Sequence, residues 1–178
     1  MKKLLIITSL IVSAAGLPAE ESHIFQASLT PDIAIYPKTA EIDGLSLNIW
    51  GENPQHGVAI GIINGSTGDS SGFTYGIVNY ADTYTGVSWG LVNVSQTSFV
   101  GWQYGLVNVS KGEFTGFQAG WIFNYARKMK GLQLGLVNYS ENLHGVQIGL
   151  ANIAMNNGWF NDFPDKLATG FPIANWSF

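Results

Sequence analysis

The chain has no cysteine and little charge, and both shortages narrow its possible functions. The absence of Cys among its 178 residues excludes a disulfide scaffold, thiolate chemistry and cysteine-ligated zinc or iron–sulfur sites. Charged residues make up 11%, and the formal net charge is −4, which excludes a nucleic-acid binder that works through a basic patch. A hydrophobic fraction of 46% excludes intrinsic disorder. The length fits one domain or one repeat array.

The N-terminus has the three-part layout of a secretory signal peptide. Lys2 and Lys3 precede an uncharged apolar run over residues 4–16, and small residues follow it. The run is too short for a membrane helix of about 20 residues. We therefore expect a signal peptide over residues 1–19, cleaved after Ala15 or Ala19. Its removal takes away two lysines and leaves 6 basic against 12 acidic residues, a net charge of −6. These features predict an exported protein.

Most of the chain consists of a short tandem repeat. Seven copies of a G-x-x-x-G-x-x-N motif begin 14 or 15 residues apart, at Gly57, Gly72, Gly86, Gly101, Gly116, Gly131 and Gly145. A degenerate copy precedes them at 44–51. The fifth copy has its asparagine one place late, at Asn124, which predicts a β-bulge. The exported chain, 20–178, is therefore interpreted as one all-β domain with repeats over about 44–154, a loop over 155–170 and a terminal strand over 171–178.

Each copy is predicted to be a strand. In 131–139, Leu132, Leu134 and Leu136 alternate with glycine and Gln133, which is the period of a strand with one apolar side. Two glycines per copy disfavour a helix. All charges between residues 57 and 153 fall between the motifs, so these segments are predicted turns. The polar side of the copies forms a possible lining or ligand row: Thr74, Ser88, Gln103, Gln118, Gln133 and Gln147.

Two architectures fit this alternation, and an antiparallel outer-membrane-type β-barrel is the one we favour. Side chains on the apolar side vary from Ala119 to Trp89, which fluid lipid tolerates better than a packed core does. About ten strands are expected: 24–29, 44–50, the seven copies and 171–178. The last strand is expected to pair with the first and close the barrel. Trp176 and Phe178 alternate at the chain end, as in strands that the barrel assembly machinery recognises. The expected partners are that machinery and outer-membrane lipid.

The alternative is a parallel β-solenoid, in which the apolar side would fill the core and the polar side would face water. Three outward residues per copy span about 17 Å at ~3.4 Å per residue, whereas a membrane barrel needs an apolar band of about 25 Å. Every copy also ends in the same asparagine, which favours equivalent parallel coils with an asparagine ladder. A soluble antiparallel sheet is a third possibility.

Three features of the sequence resemble those of a known group of proteins: the G-x-x-x-G-L-V-N repeats, the segment from Ser28 to Ala34 and the ending from Ala174 to Phe178. They are similar to the uncharacterised "surface repeat-containing" proteins of Gram-negative bacteria, over about 24–178. The resemblance implies a repeat architecture in the cell envelope, at the outer membrane or cell surface. It carries over no catalytic or binding residue.

Chemical motifs are absent from the sequence. His23, His56 and His144 lie in different segments, and no nucleophile elbow, phosphate loop or HExxH motif occurs. We predict no catalytic residue, no cofactor and no metal. The aromatic segment 159–166 is interpreted as a cap on the sheet end or a contact surface. The sequence thus predicts a non-enzymatic envelope protein, structural or weakly pore-forming; the alternative is a secreted or periplasmic solenoid for binding or adhesion.

Overall fold

A computed structural model describes residues 22–178, and the predicted signal peptide lies outside them. Five strands form one sheet in the order β2-β1-β3-β4-β5. They are β1 (His23–Thr30), β2 (Ile33–Ala34), β3 (Ile42–Asn53), β4 (His56–Ala154) and β5 (Gly170–Ser177). The predicted all-β class is confirmed. Within the described residues there is no helix long and apolar enough to cross a membrane.

Neighbouring segments of the sheet run in the same direction. Strand β1 pairs with β3, and β3 with the start of β4, both in parallel, so that Leu45 lies opposite Val58. The prediction of antiparallel neighbours is therefore wrong for these pairs. The copies within the long strand β4 follow the same rule, because equivalent residues of consecutive copies contact one another.

Three positions along the motif establish this register. At the leading glycines, a Cβ on Gly101 would lie 1.9 Å from the Gly86 carbonyl oxygen. At the third position, the Gln118 amide donates to Gln103 over 2.9 Å. At the terminal asparagine, the Asn93 amide donates to Asn108 over 2.8 Å. Only a parallel arrangement brings the start, middle and end of each copy against the same positions of the next.

Over residues 22–178 the sheet is open and does not close into the predicted barrel. Strand β5 pairs antiparallel with the last copy, with Val146 opposite Trp176. It does not pair with the first strand, whose other edge is taken by the short β2. Ten rows therefore lie side by side: β1, β3, the seven copies and β5. Nine are parallel, and the antiparallel tenth covers the edge of the last copy.

Each copy bends at two places, which gives it two outward faces. Its leading glycine has φ between +118° and +147°, a region that favours glycine. A second bend follows the sixth motif position, where Leu136 is exposed and Asn138 is fully buried. The strict alternation predicted for residues 131–139 would have placed Leu136 and Asn138 on the same side. The bend turns the asparagine inward instead.

The interior is mostly polar. Asparagine side chains form a ladder in which each Nδ2 donates to the next Oδ1, from Asn48 through Asn64, Asn79, Asn93, Asn108, Asn124 and Asn138 to Asn152. The ladder passes through Asn124 rather than Phe123, so the extra residue of the fifth copy is accommodated without breaking it. Buried polar groups are tolerated here because they satisfy one another.

A second interior column is apolar. It occupies the position two residues before the last five leading glycines and consists of Tyr84, Phe99, Phe114, Met129 and Leu143. Consecutive rings stack, with centroids 5.4 Å apart for both Tyr84–Phe99 and Phe99–Phe114. Leading glycines, the polar ladders and this column together fill the inside of the stack, so both remaining faces of every copy look outward.

Candidate functional site

The largest feature of the described surface is a continuous apolar face. The name apolar face is used below for the outward side chains at the second, fourth and sixth motif positions, together with their counterparts in β1, β3 and β5. Most of its members are exposed: Leu45, Leu47, Ile60, Ile62, Tyr75, Ile77, Trp89, Leu91, Trp102, Tyr104, Leu106, Trp121, Leu134, Leu136, Ile148 and Leu150. An uninterrupted patch on this scale exceeds what a soluble monomer usually exposes and is typical of an interaction site.

Two adjoining grooves run across the middle of this face. One has a volume of about 430 Å³ and lies over Tyr75, Trp89 and Leu91. The other, of about 330 Å³, lies over Ala119, Leu134 and Ile148. Both are lined by Tyr104 and Trp121. The Trp121 indole donates to the Tyr104 hydroxyl over 3.0 Å and remains 64% exposed, so it forms a ridge between the grooves.

The opposite outward face carries the charges of the repeat. Five charged residues lie there, between the asparagine of one copy and the leading glycine of the next: Lys111, Glu113, Arg127, Lys128 and Lys130. Lys128 pairs with Glu113, and this hydrogen bond lowers the pKa of the Glu113 carboxyl. The stack of copies is therefore amphipathic: one face is apolar and aromatic, and the other is charged and exposed to solvent.

The predicted polar row lies inside the stack. Thr74, Ser88, Gln103, Gln118, Gln133 and Gln147 are all buried. Gln147 donates to Gln133 and Gln133 to Gln118, each over 2.8 Å. Thr74 donates to Ser88 over 3.1 Å. The row does line an interior, but its amides bond to one another and present no surface for a ligand.

The C-terminal residues lie at the end of the stack. The Trp176 indole donates to the Pro164 carbonyl over 2.8 Å and its ring lies near Phe163, which ties β5 to the loop before it. Phe178 is 64% exposed, and its backbone amide donates to the Asp165 carbonyl. Recognition of this end by the assembly machinery stays a prediction. Trp159, Phe160 and Phe163 of the preceding loop are also exposed.

One cluster of possible metal ligands exists among the described residues. Glu41, Asp43 and His56 each bring a ligand atom within 4.8 Å of the others. His56 Nε2 lies 3.2 Å from Glu41 Oε1, and its Nδ1 lies 2.9 Å from the Ser71 hydroxyl. The sequence did not predict this grouping, because β3 brings Glu41 beside a histidine 15 residues away. The Glu41–His56 contact accounts for two of the three side chains, and exposed acidic groups such as Asp43 are common beside others without an ion, so we assign no metal.

The apolar interior column was missed at the sequence level, although a signal for it exists. An apolar residue stands two places before five consecutive leading glycines, from Tyr84 to Leu143. This position lies in segments that the charges had marked as turns. Burial raises the pKa of the Tyr84 hydroxyl, consistent with its place inside the stack.

Comparison of the chain with protein-family models, curated proteins and solved structures found no match.

Proposed function

We propose that the protein is an exported, non-enzymatic module of the cell envelope that binds a partner surface through its apolar face. The observation that carries this proposal is the sheet of exposed apolar and aromatic side chains facing away from the charged side of the same coils. Burying such surface is favourable by roughly 25 cal/mol per Å². A face of this size that stayed in water would make the protein prone to aggregation.

We further propose that the parallel copies form a β-solenoid, which has the strand order of the alternative in the sequence analysis but carries its apolar side outward and its polar row inside. Support comes from the in-register glycine, glutamine and asparagine contacts between copies. In such a stack each copy contacts only its neighbours, which makes a long, rigid and repetitive surface. A rigid surface suits binding, because little conformational freedom is lost when a partner covers it.

The signal peptide layout at residues 1–19 and the family resemblance support export to the envelope. The outer membrane or the cell surface is the proposed location, with the periplasm as the alternative. A pore has no support, because the interior of the stack is filled by the asparagine and glutamine ladders.

The lack of cysteine allows a direct test by single-cysteine labelling in intact envelope preparations. Leu91→Cys places the thiol on the apolar face, and Glu113→Cys is the matched exposed position on the charged face. We expect a membrane-impermeant maleimide to label Glu113→Cys readily and Leu91→Cys slowly, with both fully labelled after unfolding in urea. Equal labelling of the two positions in the native envelope would refute docking through the apolar face. In intact cells, labelling of neither position until the inner membrane is lysed would refute export, whereas labelling as soon as the outer membrane is opened would place the protein in the periplasm.

A further inference from the structure

We propose that the occupant of the apolar face is a second copy of this chain, docked face to face about a two-fold axis. This inference rests on the proposed docking function and names the partner. A self-complementary face is what a two-fold dimer requires, because each copy offers the same patch to the other.

The dimensions of the face match a stable dimer. Ten rows about 4.8 Å apart span ~43 Å. In each row the five positions from the second to the sixth span ~17 Å, so the apolar face covers roughly 730 Å² on each chain. Two copies would bury about 1,500 Å², within the range of 1,200–2,000 Å² for specific protein interfaces. The apolar face is thus large enough for a dimer without recruiting any other surface.

Its composition also matches an interface core. Trp, Tyr and aliphatic residues dominate, with Tyr75, Trp89, Tyr104 and Trp121 along the middle of the face and no charged side chain among the members. Interface cores are depleted in charge and enriched in aromatic residues. The cations of the repeat stand on the opposite face, and the exported chain carries a net charge of −6. An anionic lipid surface would therefore meet no cation at this face, whereas a second copy brings only another neutral face.

Relief on the face provides a specific fit. Trp121 is a ridge, and the neighbouring groove of about 330 Å³ lies over Ala119, the one small side chain at the middle motif position. A two-fold axis between these two features places each Trp121 in the Ala119 groove of the other copy. Tryptophans seated in a pocket at the centre of an interface are the residues that most often dominate binding energy.

The test is the oligomeric state of the exported chain in detergent-free buffer, by light scattering and sedimentation velocity. We expect the mass of two chains. Trp121→Glu should raise the dissociation constant about 30-fold or more. Trp159→Glu is the matched control, because Trp159 is 61% exposed but lies in the loop after β4, outside the apolar face. Leu134→Lys, at the edge of the groove, is the second variant, and circular dichroism checks that each variant is folded.

Three results would overturn the dimer: a monomeric wild-type chain, equal dissociation constants for Trp121→Glu and Trp159→Glu, or a monomer that floats with vesicles of phosphatidylethanolamine and phosphatidylglycerol. In each of these cases, protection of Leu91→Cys in the envelope would leave the docking function standing with another partner. Free labelling of Leu91→Cys would remove the docking function itself. The two failures are therefore distinguishable.

Discussion

Asn93 is the position at which the interior ladder can be tested most sharply. Its side chain is 0% exposed and makes four hydrogen bonds. It accepts from the amide of Asn79 over 2.9 Å and from the hydroxyl of Ser88 over 2.7 Å. It donates to the carbonyl of Tyr104 over 2.9 Å and to the amide oxygen of Asn108 over 2.8 Å. Every donor and acceptor of this amide is thus engaged inside the stack.

Asn93→Ala removes all four bonds and leaves their partners in a dry interior. At a net ~1 kcal/mol for each bond, the free energy of unfolding should fall by about 4 kcal/mol. Total stabilities are commonly about 5–15 kcal/mol, so this loss is large. The measurement is urea unfolding followed by tryptophan fluorescence. Asn142→Ala is the control, because Asn142 is exposed and should change stability by no more than ~0.5 kcal/mol.

Asn93→Asp keeps the shape and changes only the chemistry. A carboxylate can still accept from Asn79 and Ser88, but it would face the oxygens of Tyr104 and Asn108 with no proton to donate. Burial and these acceptors favour the neutral acid, so the folded-state pKa of the new carboxyl should lie above the ~3.9 of free Asp. Stability is then highest below about pH 4 and is lost as the pH rises through the folded-state pKa.

The variant should therefore lie closer to wild type at pH 4 than at pH 7, and Asn142→Asp should show no such difference. A loss of less than ~1 kcal/mol for Asn93→Ala would refute the ladder as a source of stability. A pH-independent effect of Asn93→Asp would refute the predicted protonation.

Two further predictions concern the glycine column and the aromatic column. Gly101→Ala should lower the free energy of unfolding by at least ~3 kcal/mol, because the backbone has φ +132° and the new Cβ would meet the Gly86 carbonyl. Gly170→Ala is the control and should be neutral, because a Cβ there lies in open space. Equal urea midpoints for the two variants would contradict the close stacking. Because burial raises the pKa of Tyr84, the folded state holds that proton more tightly, so its contribution to stability is full below about pH 10 and is lost as the pH rises further. Tyr84→Phe should weaken this alkaline loss in thermal unfolding; a pH profile identical to that of the wild-type chain would count against it.

Much of the local structure could be predicted from the sequence. The motif spacing predicts seven strands, and the segments 24–29, 44–50 and 171–178 bring the total to ten; all ten are rows of the sheet. Alternation along Leu132, Gln133 and Leu134 correctly separated an apolar side from a polar side. This works because side-chain direction in a strand depends only on local backbone geometry.

Pairing direction could not be decided in the same way. The same alternation serves an antiparallel barrel and a parallel stack, and we favoured the barrel partly because Trp89 and Ala119 differ so much in size. The structure combines the parallel strand order of the solenoid with the polar interior of the barrel, because Gln133 points inward and Leu134 points outward. The irregular apolar side chains need no common packing because they fill no core.

Spacing, alternation and composition are sufficient to define the repeat, the strands, the low charge and the apolar and polar sides of each strand. The stacking of equivalent residues, the covering of the last copy by β5 and the inward turn of Asn138 become visible only in the folded chain. They depend on contacts between residues that are distant in the sequence, about 15 positions apart between copies and about 30 positions apart for Val146 and Trp176. A bend at the leading glycine and another after the sixth position set the contacts between copies, and neither bend is visible in the alternation of apolar and polar residues along the sequence.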